Sequence, residues 1–174
     1  AAYSNGLTAA PIITGGTEEQ KSKYLGRLTE APRIASYAVT EPGAGSDVAS
    51  IQTTAVKDGD DYILNGSKMW ITGAGQADWF FVLAYTDKAA GYKGMSAFIV
   101  DAGCDGLSLG KKETNMGQRA SDTRSINLED VRVSSANLVG GIEGKGWFNA
   151  MTAFDLSRPN IAAHATGISR AAFE

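Results

Sequence analysis

The chain has 174 residues, with 16 Lys and Arg, 19 Asp and Glu and one His, for a formal charge of -3. That length suits one domain, or one domain with pieces of its neighbours, and is enough to bury a core without covalent staples. The slight acidity gives no electrostatic case for wrapping nucleic acid or an anionic membrane surface, and no apolar run approaches the ~20 residues that span a bilayer. The single Cys104 excludes an intrachain disulfide framework and a multi-thiolate metal site, and favours a reducing compartment. The 21 glycines are about 12% of the chain against a usual ~7%, and they are spread without a period, as in the turns of a β-rich fold. The chain opens Ala1-Ala2-Tyr3 without Met and stops inside a helical-looking run at Ala172-Phe173-Glu174. Both ends suggest a fragment.

From residue 1 to 36 the reading is helical. Thr17-Glu18-Glu19-Gln20 is a capping-box pattern, and Tyr24, Leu25 and Leu28 follow at helical spacing, which predicts a short helix over Thr17–Leu28. Gly15-Gly16 before it reads as a turn, and Pro32 ends the segment.

Residues 37 to 139 read as strands. Candidates are Ser50–Val56, Asp61–Leu64, Lys68–Ile71, Trp79–Tyr85, Ser96–Val100 and Arg124–Leu128. Asp58-Gly59 is a hairpin signal, and Asn65-Gly66 reads as a second tight turn. Strands recur every ten or so residues with no helix-length segments between them. That favours an antiparallel barrel or sandwich over a doubly wound sheet.

Residues 140 to 174 read as a flexible βα connection followed by helix. Trp147, Met151, Phe154, Leu156, Ile161, Ala165, Ile168 and Ala172 carry the helical pattern, which Pro159 should kink or divide. A β domain between two helical blocks points to a larger parent protein.

Several segments tempt a chemical reading. Gly43-Ala44-Gly45-Ser46-Asp47 lacks the third glycine of a dinucleotide fingerprint; it is either a turn capped by Ser46 or Asp47 or a loop presenting backbone N–H groups to an anion. The run Gly140 to Gly146 fails as a P-loop on spacing and lacks the hydroxyl after Lys145. Cys104 sits in a turn and reads as structural, and His164 has no carboxylates at ligand spacing, so no metal site is assigned. Alternation puts Trp70 and Thr72 on one strand face. They are either a buried barrel tryptophan with its neighbour or an aromatic and a hydroxyl flanking a planar heterocycle. Asp155 and Arg158 share a helix face, as a local ion pair or as an acceptor and donor for a polar ligand.

These segments coincide in one family. Tyr37-Ala38-Val39-Thr40-Glu41-Pro42-Gly43-Ala44-Gly45-Ser46-Asp47 closely resembles the signature of acyl-CoA dehydrogenases, and Met69-Trp70-Ile71-Thr72 resembles their second flavin segment. Asn115-Met116-Gly117-Gln118-Arg119, Ser121-Asp122-Thr123-Arg124 and Phe154-Asp155-Leu156-Ser157-Arg158-Pro159 are similar to family segments in the same order. The resemblance covers essentially the whole chain and is nearest the medium-chain members.

It implies a mainly β middle domain, an antiparallel barrel or orthogonal sheets, flanked by helical segments of two truncated helical domains. The divisions fall at 1–36, 37–139 and 140–174. It also implies FAD as cofactor and an acyl-CoA thioester as substrate, oxidised to the trans-2-enoyl-CoA in fatty acid β-oxidation. Electron-transferring flavoprotein would be the acceptor and a homotetramer the assembly, in the mitochondrial matrix of a eukaryote or the cytoplasm of a bacterium. By resemblance Tyr37, Val39, Thr40, Gly45, Ser46, Trp70, Ile71 and Thr72 hold the flavin. Ser46, Tyr92, Asp155, Leu156, Ser157 and Arg158 hold the substrate, the loop carrying Tyr92 being shorter here than in the family. The family's catalytic Glu lies beyond Glu174, so no residue of this chain is assigned as catalytic, Glu41 included. The rival expectations are an oxidase relative passing electrons to oxygen and a non-catalytic flavin-binding or interaction module.

Overall fold

The computed structural model describes the backbone of residues 2–174 and the side chains from Ser4 onward. The helix α1 (Ala2–Gly15) leads into α2 (Glu18–Gln20), one π-helical turn over Lys21–Leu25, and α3 (Gly26–Glu30). Seven strands follow: β1 (Ile34–Ala38), β2 (Thr54–Asp58), β3 (Asp61–Thr72), β4 (Ala77–Tyr85), β5 (Met95–Asp101), β6 (Leu107–Leu109) and β7 (Thr123–Ser134). The long helix α4 (Gly146–Phe173) closes the chain. The capping box forms as expected. Thr17 Oγ1 accepts from Gln20 N at 3.2 Å and Gln20 Oε1 accepts from Thr17 N at 3.1 Å.

The strands make one curled sheet in the order β1-β4-β2-β3-β7-β6, with β5 on the other side of β4. Most pairings are antiparallel, as expected, but β1 and β2 run parallel to β4. Every second residue of β4 belongs to one core. Trp79, Phe81, Leu83 and Tyr85 pack with Ile12, Tyr24 and Ala150 from the helices. Phe80, Val82 and Ala84 pack inside the curl with Leu64, Ile71, Phe98, Ile126 and Val131. A strand buried on both faces reads as an unbroken apolar run, which is why β4 and β5 are visible in the sequence.

Other expectations need correction. Asn65-Gly66 is not a turn: it lies inside the twelve-residue β3, where the pairing with β7 shifts register between Leu64 and Gly66. Gly66 sits at φ 151°, and a Cβ there would run into Thr53. A bulge, rather than a reversal, is what the glycine serves. Val48–Ser50 is a 3-10 turn, and β2 begins only at Thr54. The short β1 and β6 and the helix α1, with Gly6 and Pro11 inside it, carry no strong periodic signal. The connection before α4 is packed, not loose. Cβ atoms at Gly140 and Gly144 would meet the carbonyls of Gly15 and Lys93. Pro159 lies inside α4 on an exposed stretch and does not divide it; there the carbonyl that its ring leaves without a donor is open to solvent rather than buried.

β1 pairs only with β4, so its outer edge needs partners. α1 supplies them. Asn5 Oδ1 accepts from Ala35 N at 2.8 Å, and Ser4 Oγ donates to the Ala35 carbonyl at 2.6 Å. This seats α1 beside the end of β1, and α4 packs across α1. Replacing Gly66 by Ala should destabilise the fold by about 1–3 kcal/mol, read as a lower urea midpoint with an unchanged slope. An unaltered midpoint would mean that the bulge accommodates a Cβ.

Candidate active site

A cleft of about 240 Å³ opens where β1 ends. Tyr37 and Thr40 line it from β1 and the residues just after, Trp70 and Thr72 from β3, Ser4 and Leu7 from α1, and Phe154 from α4. Four of the eight residues expected at the flavin therefore meet in one place.

Trp70 decides the character of this cleft. Its φ is 61°, in the left-handed region, and its side chain is 57% exposed. The β3–β7 register shifts between Lys68 and Ile71, so the bulge turns Trp70 outward while Lys68 and Ile71 stay inside. A bulky residue in that conformation costs about 1–3 kcal/mol and gains little burial here, so the fold itself gives no reason for it. The buried-tryptophan alternative is thereby excluded, and the shared face of Trp70 and Thr72 stands. The hydroxyls of Thr40 and Thr72 donate to nothing among the described residues. Their carbonyls are taken, by Met69 N at 2.9 Å and by Ser36 Oγ at 2.8 Å. An open indole and two available hydroxyls lining one cleft suit a flat, polar-edged ring system.

Tyr37 is the wall of the cleft, not a donor to it. Its ring stacks on Phe81 at 5.0 Å and meets Phe154 edge-on at 5.6 Å, and its hydroxyl donates to the Ala150 carbonyl at 3.1 Å. Burial pushes its pKa far above the usual tyrosine value. Val39 and Ile71 are buried, so only their backbones are available to a ligand.

Thr40 leads directly into the glycine loop. A two-way pair of backbone bonds between Glu41 and Ala44 closes a tight turn. Gly43 inside this turn and Gly45 just after it have no atom within 4 Å of an added Cβ and no left-handed φ. Among the described residues nothing accepts from the backbone N–H of Gly43, Gly45 or Ser46. Glycines that the chain's own packing does not need, with free N–H groups, make a surface that a phosphate could approach closely.

The substrate-side residues separate. Leu156 and Ser157 join Leu7, Ala10 and Ile13 around a largely apolar cavity of about 700 Å³ between α1 and α4, which shares Leu7 with the cleft. Asp155 and Arg158 form the local ion pair at 3.0 Å on the exposed face of α4. Tyr92 packs on Trp147 and Phe148 near the start of that helix. Ser46 stays on the exposed loop. Cys104 is half-buried with its thiol pKa pushed up, first by burial, so it is a poor nucleophile. No cluster of three or more metal-ligating side chains occurs among the described residues.

A family model for the acyl-CoA dehydrogenase middle domain matches residues 36–131. The chain belongs to the acyl-CoA dehydrogenase family. It is 56% identical over 166 residues to a probable medium-chain specific acyl-CoA dehydrogenase, mitochondrial, of Caenorhabditis briggsae, covering 94% of this chain and 40% of that protein. Its fold matches butyryl-CoA dehydrogenase of Megasphaera elsdenii with a TM-score of 0.93 and 44% identity, over 98% of this chain and 45% of that one. An acyl-CoA dehydrogenase of Bacillus anthracis solved with FAD matches at a TM-score of 0.80 and 42% identity, over 88% of this chain and 26% of that one. The chain thus spans less than half the length of these relatives.

Beyond the residues expected from the sequence, Ser4, Leu7 and Phe154 line the cleft, and the buried Lys68 bonds to the carbonyl of Val39, next to Thr40. Lys68 is fully buried and pairs with Glu41 at 2.9 Å. Burial pushes the Lys68 pKa down to about 8, against the pull of Glu41. For Glu41 burial acts upward, but Lys68, Thr53 and the Gln52 N–H outweigh it and hold the carboxyl below its usual 4.5. An acid held below its ordinary pKa stabilises the fold above about pH 4.5, and that stabilisation drains as pH falls through the folded value. Glu41→Gln should therefore melt lower at pH 6 and lose less stability on going to pH 3. Parallel melting-temperature curves for the two proteins would show that Glu41 carries no such linkage.

Proposed function

We propose that this chain is the flavin-binding half of an enzyme that oxidises an acyl-CoA thioester to the trans-2-enoyl-CoA with FAD. The observation that carries the reading is the outward, strained Trp70 lining one cleft with the Thr40 and Thr72 hydroxyls, which donate to nothing among the described residues. The cleft, the glycine loop and the apolar cavity fit the three parts of such a reaction: a ring system, a phosphate and an acyl chain.

Bound in the cleft, FAD would supply the two-electron acceptor for the β-hydrogen of the acyl chain. Trp70 covers the ring and keeps water from it, Thr40 and Thr72 hydrogen-bond its polar edge, and Tyr37, Phe81 and Phe154 make a rigid aromatic wall behind. Val39 and Ile71 contribute backbone only. Gly45 and Ser46 offer N–H groups to phosphate oxygens. The cavity shared through Leu7 holds an acyl chain beside the cleft, bounded by Leu156 and Ser157. Asp155 and Arg158 face the CoA moiety, Arg158 with a planar set of donors for phosphate, and Tyr92 joins them at the rim.

No carboxylate lines either cavity among the described residues, and Glu41 is spent on Lys68, Thr53 and Gln52. The base that takes the α-proton therefore belongs, in this reading, to another segment of a longer chain. The division at 1–36, 37–139 and 140–174 goes with it, as do a homotetramer and electron-transferring flavoprotein as acceptor. A matrix location in a eukaryotic source is supported by the mitochondrial relative, and a bacterial source would place the protein in the cytoplasm.

In the full-length protein, Thr72→Ala should slow anaerobic flavin reduction by acyl-CoA about tenfold or more, while Arg158→Ala should weaken acyl-CoA binding by about tenfold. Stopped-flow absorbance and equilibrium binding read the two effects. A wild-type protein that takes up no FAD would overturn the function, and unchanged rates and affinities in both variants would remove those two assignments.

A further inference from the structure

We propose that the buried Lys68–Glu41 pair is a positioning device for the flavin cleft, setting the two backbone stretches that form its sides. The inference rests on the flavin reading of the cleft.

The β1–β4 ladder runs in register as far as Ala38 and Val82. The next residue on each strand is Val39 and Leu83, and both give their carbonyls to Lys68 Nζ, at 3.3 and 2.7 Å. The third donor of the ammonium goes to Glu41 Oε1 at 2.9 Å. Lys68 thus fills the point where β1 leaves β4. That departure is what allows the following residue, Thr40, to reach the cleft. On its own strand Lys68 stands at the start of the bulge that turns Trp70 outward. One lysine therefore ties the backbone immediately before Thr40 to the β3 segment that starts the bulge, two residues before Trp70.

Glu41 extends the tie into the loop. Its carboxylate accepts from Gln52 N at 2.6 Å, Thr53 N at 3.0 Å and the Thr53 hydroxyl, and its backbone closes the turn with Ala44 that precedes Gly45. Every polar atom of the pair is engaged, and both side chains are withdrawn from water.

Stability alone does not call for this arrangement. Two ions taken out of water lose about as much solvation as they regain from each other, and apolar residues of the same volume often serve as well or better. What apolar residues cannot do is hold the Val39 and Leu83 carbonyls while the strands diverge. The pair therefore matters for where Thr40, Trp70 and the glycine loop stand.

The test uses the full-length protein and three variants, Lys68→Met, Glu41→Gln and the double variant. Two quantities are measured on each: the melting temperature of the apoprotein, and FAD affinity by equilibrium dialysis. The double variant should melt above Lys68→Met, because it leaves no unpaired buried charge, and below the wild type, because the Val39 and Leu83 carbonyls lose their donor. It should also bind FAD more weakly, in the range of about 10–100-fold found when groups that orient binding residues are lost. Lys68→Arg, which keeps the charge and several donors, should recover part of that affinity. A double variant that folds and keeps wild-type FAD affinity would overturn the proposal and leave the pair as core packing. Should the Met variants not fold, the isosteric Glu41→Gln decides alone: weaker FAD binding supports the proposal, and unchanged affinity refutes it. A wild-type protein without FAD affinity would instead remove the flavin reading on which the inference stands.

Discussion

Trp79, Phe81, Leu83 and Tyr85 face the helices while Phe80, Val82 and Ala84 face the inside of the curl, so β4 shows water neither side. A strand in that position must be covered twice. One cover is the rest of the sheet bending over it, and the other is the layer of α1, α3 and α4. Because β4 has β5 along one edge, its other edge has to be shared end to end by β1 and β2. The gap between those two is where the chain leaves the sheet, and the site lies there. The position of the cleft is in this sense a consequence of how a doubly buried strand is enclosed.

The gap brings a cost. Strand ends that separate inside a protein leave carbonyls away from both water and ladder. Here they are satisfied by Lys68, and the carboxylate needed beside that ammonium also orders the loop that follows. Fold and site share atoms at this point. By contrast the α1–α4 cavity is assembled from side chains on two helices and involves no strained backbone, so its shape is free to change with ordinary apolar substitutions.

The sequence revealed what periodicity and turn chemistry encode. The Asp58-Gly59 hairpin, the capping box at Thr17 and the apolar β4 and β5 all form where local rules put them. Asn65-Gly66 misled because a glycine of a bulge and a glycine of a turn are the same letters, and only the pairing with β7 separates them. Strict alternation would put Lys68 on the same face as Trp70 and Thr72. The register shift between Lys68 and Ile71 reverses that relation, and no local pattern announces it. The segments that line the cleft were legible through resemblance and through the Trp70–Thr72 spacing. Ser4, Leu7 and Lys68 were not, since a small polar residue on a glycine-containing helix and a lysine in a strand both look like surface. α1 was hidden because its role is to satisfy the β1 edge through Ser4 and Asn5, not to show an apolar stripe.

The bulge that turns Trp70 outward also sorts the three indoles of the chain by environment. Trp79 is sealed in the core with no partner for its Nε1 among the described residues, Trp147 is half-buried against Tyr92, and Trp70 is exposed at the mouth of the cleft. Indole emission moves to longer wavelength as its surroundings become wetter, so the red side of the spectrum belongs mainly to Trp70. Any planar molecule seated on that ring dims the red edge before the blue. The protein carries its own optical reporter at the mouth of the cleft, with the deeper tryptophan as an internal standard for the integrity of the fold.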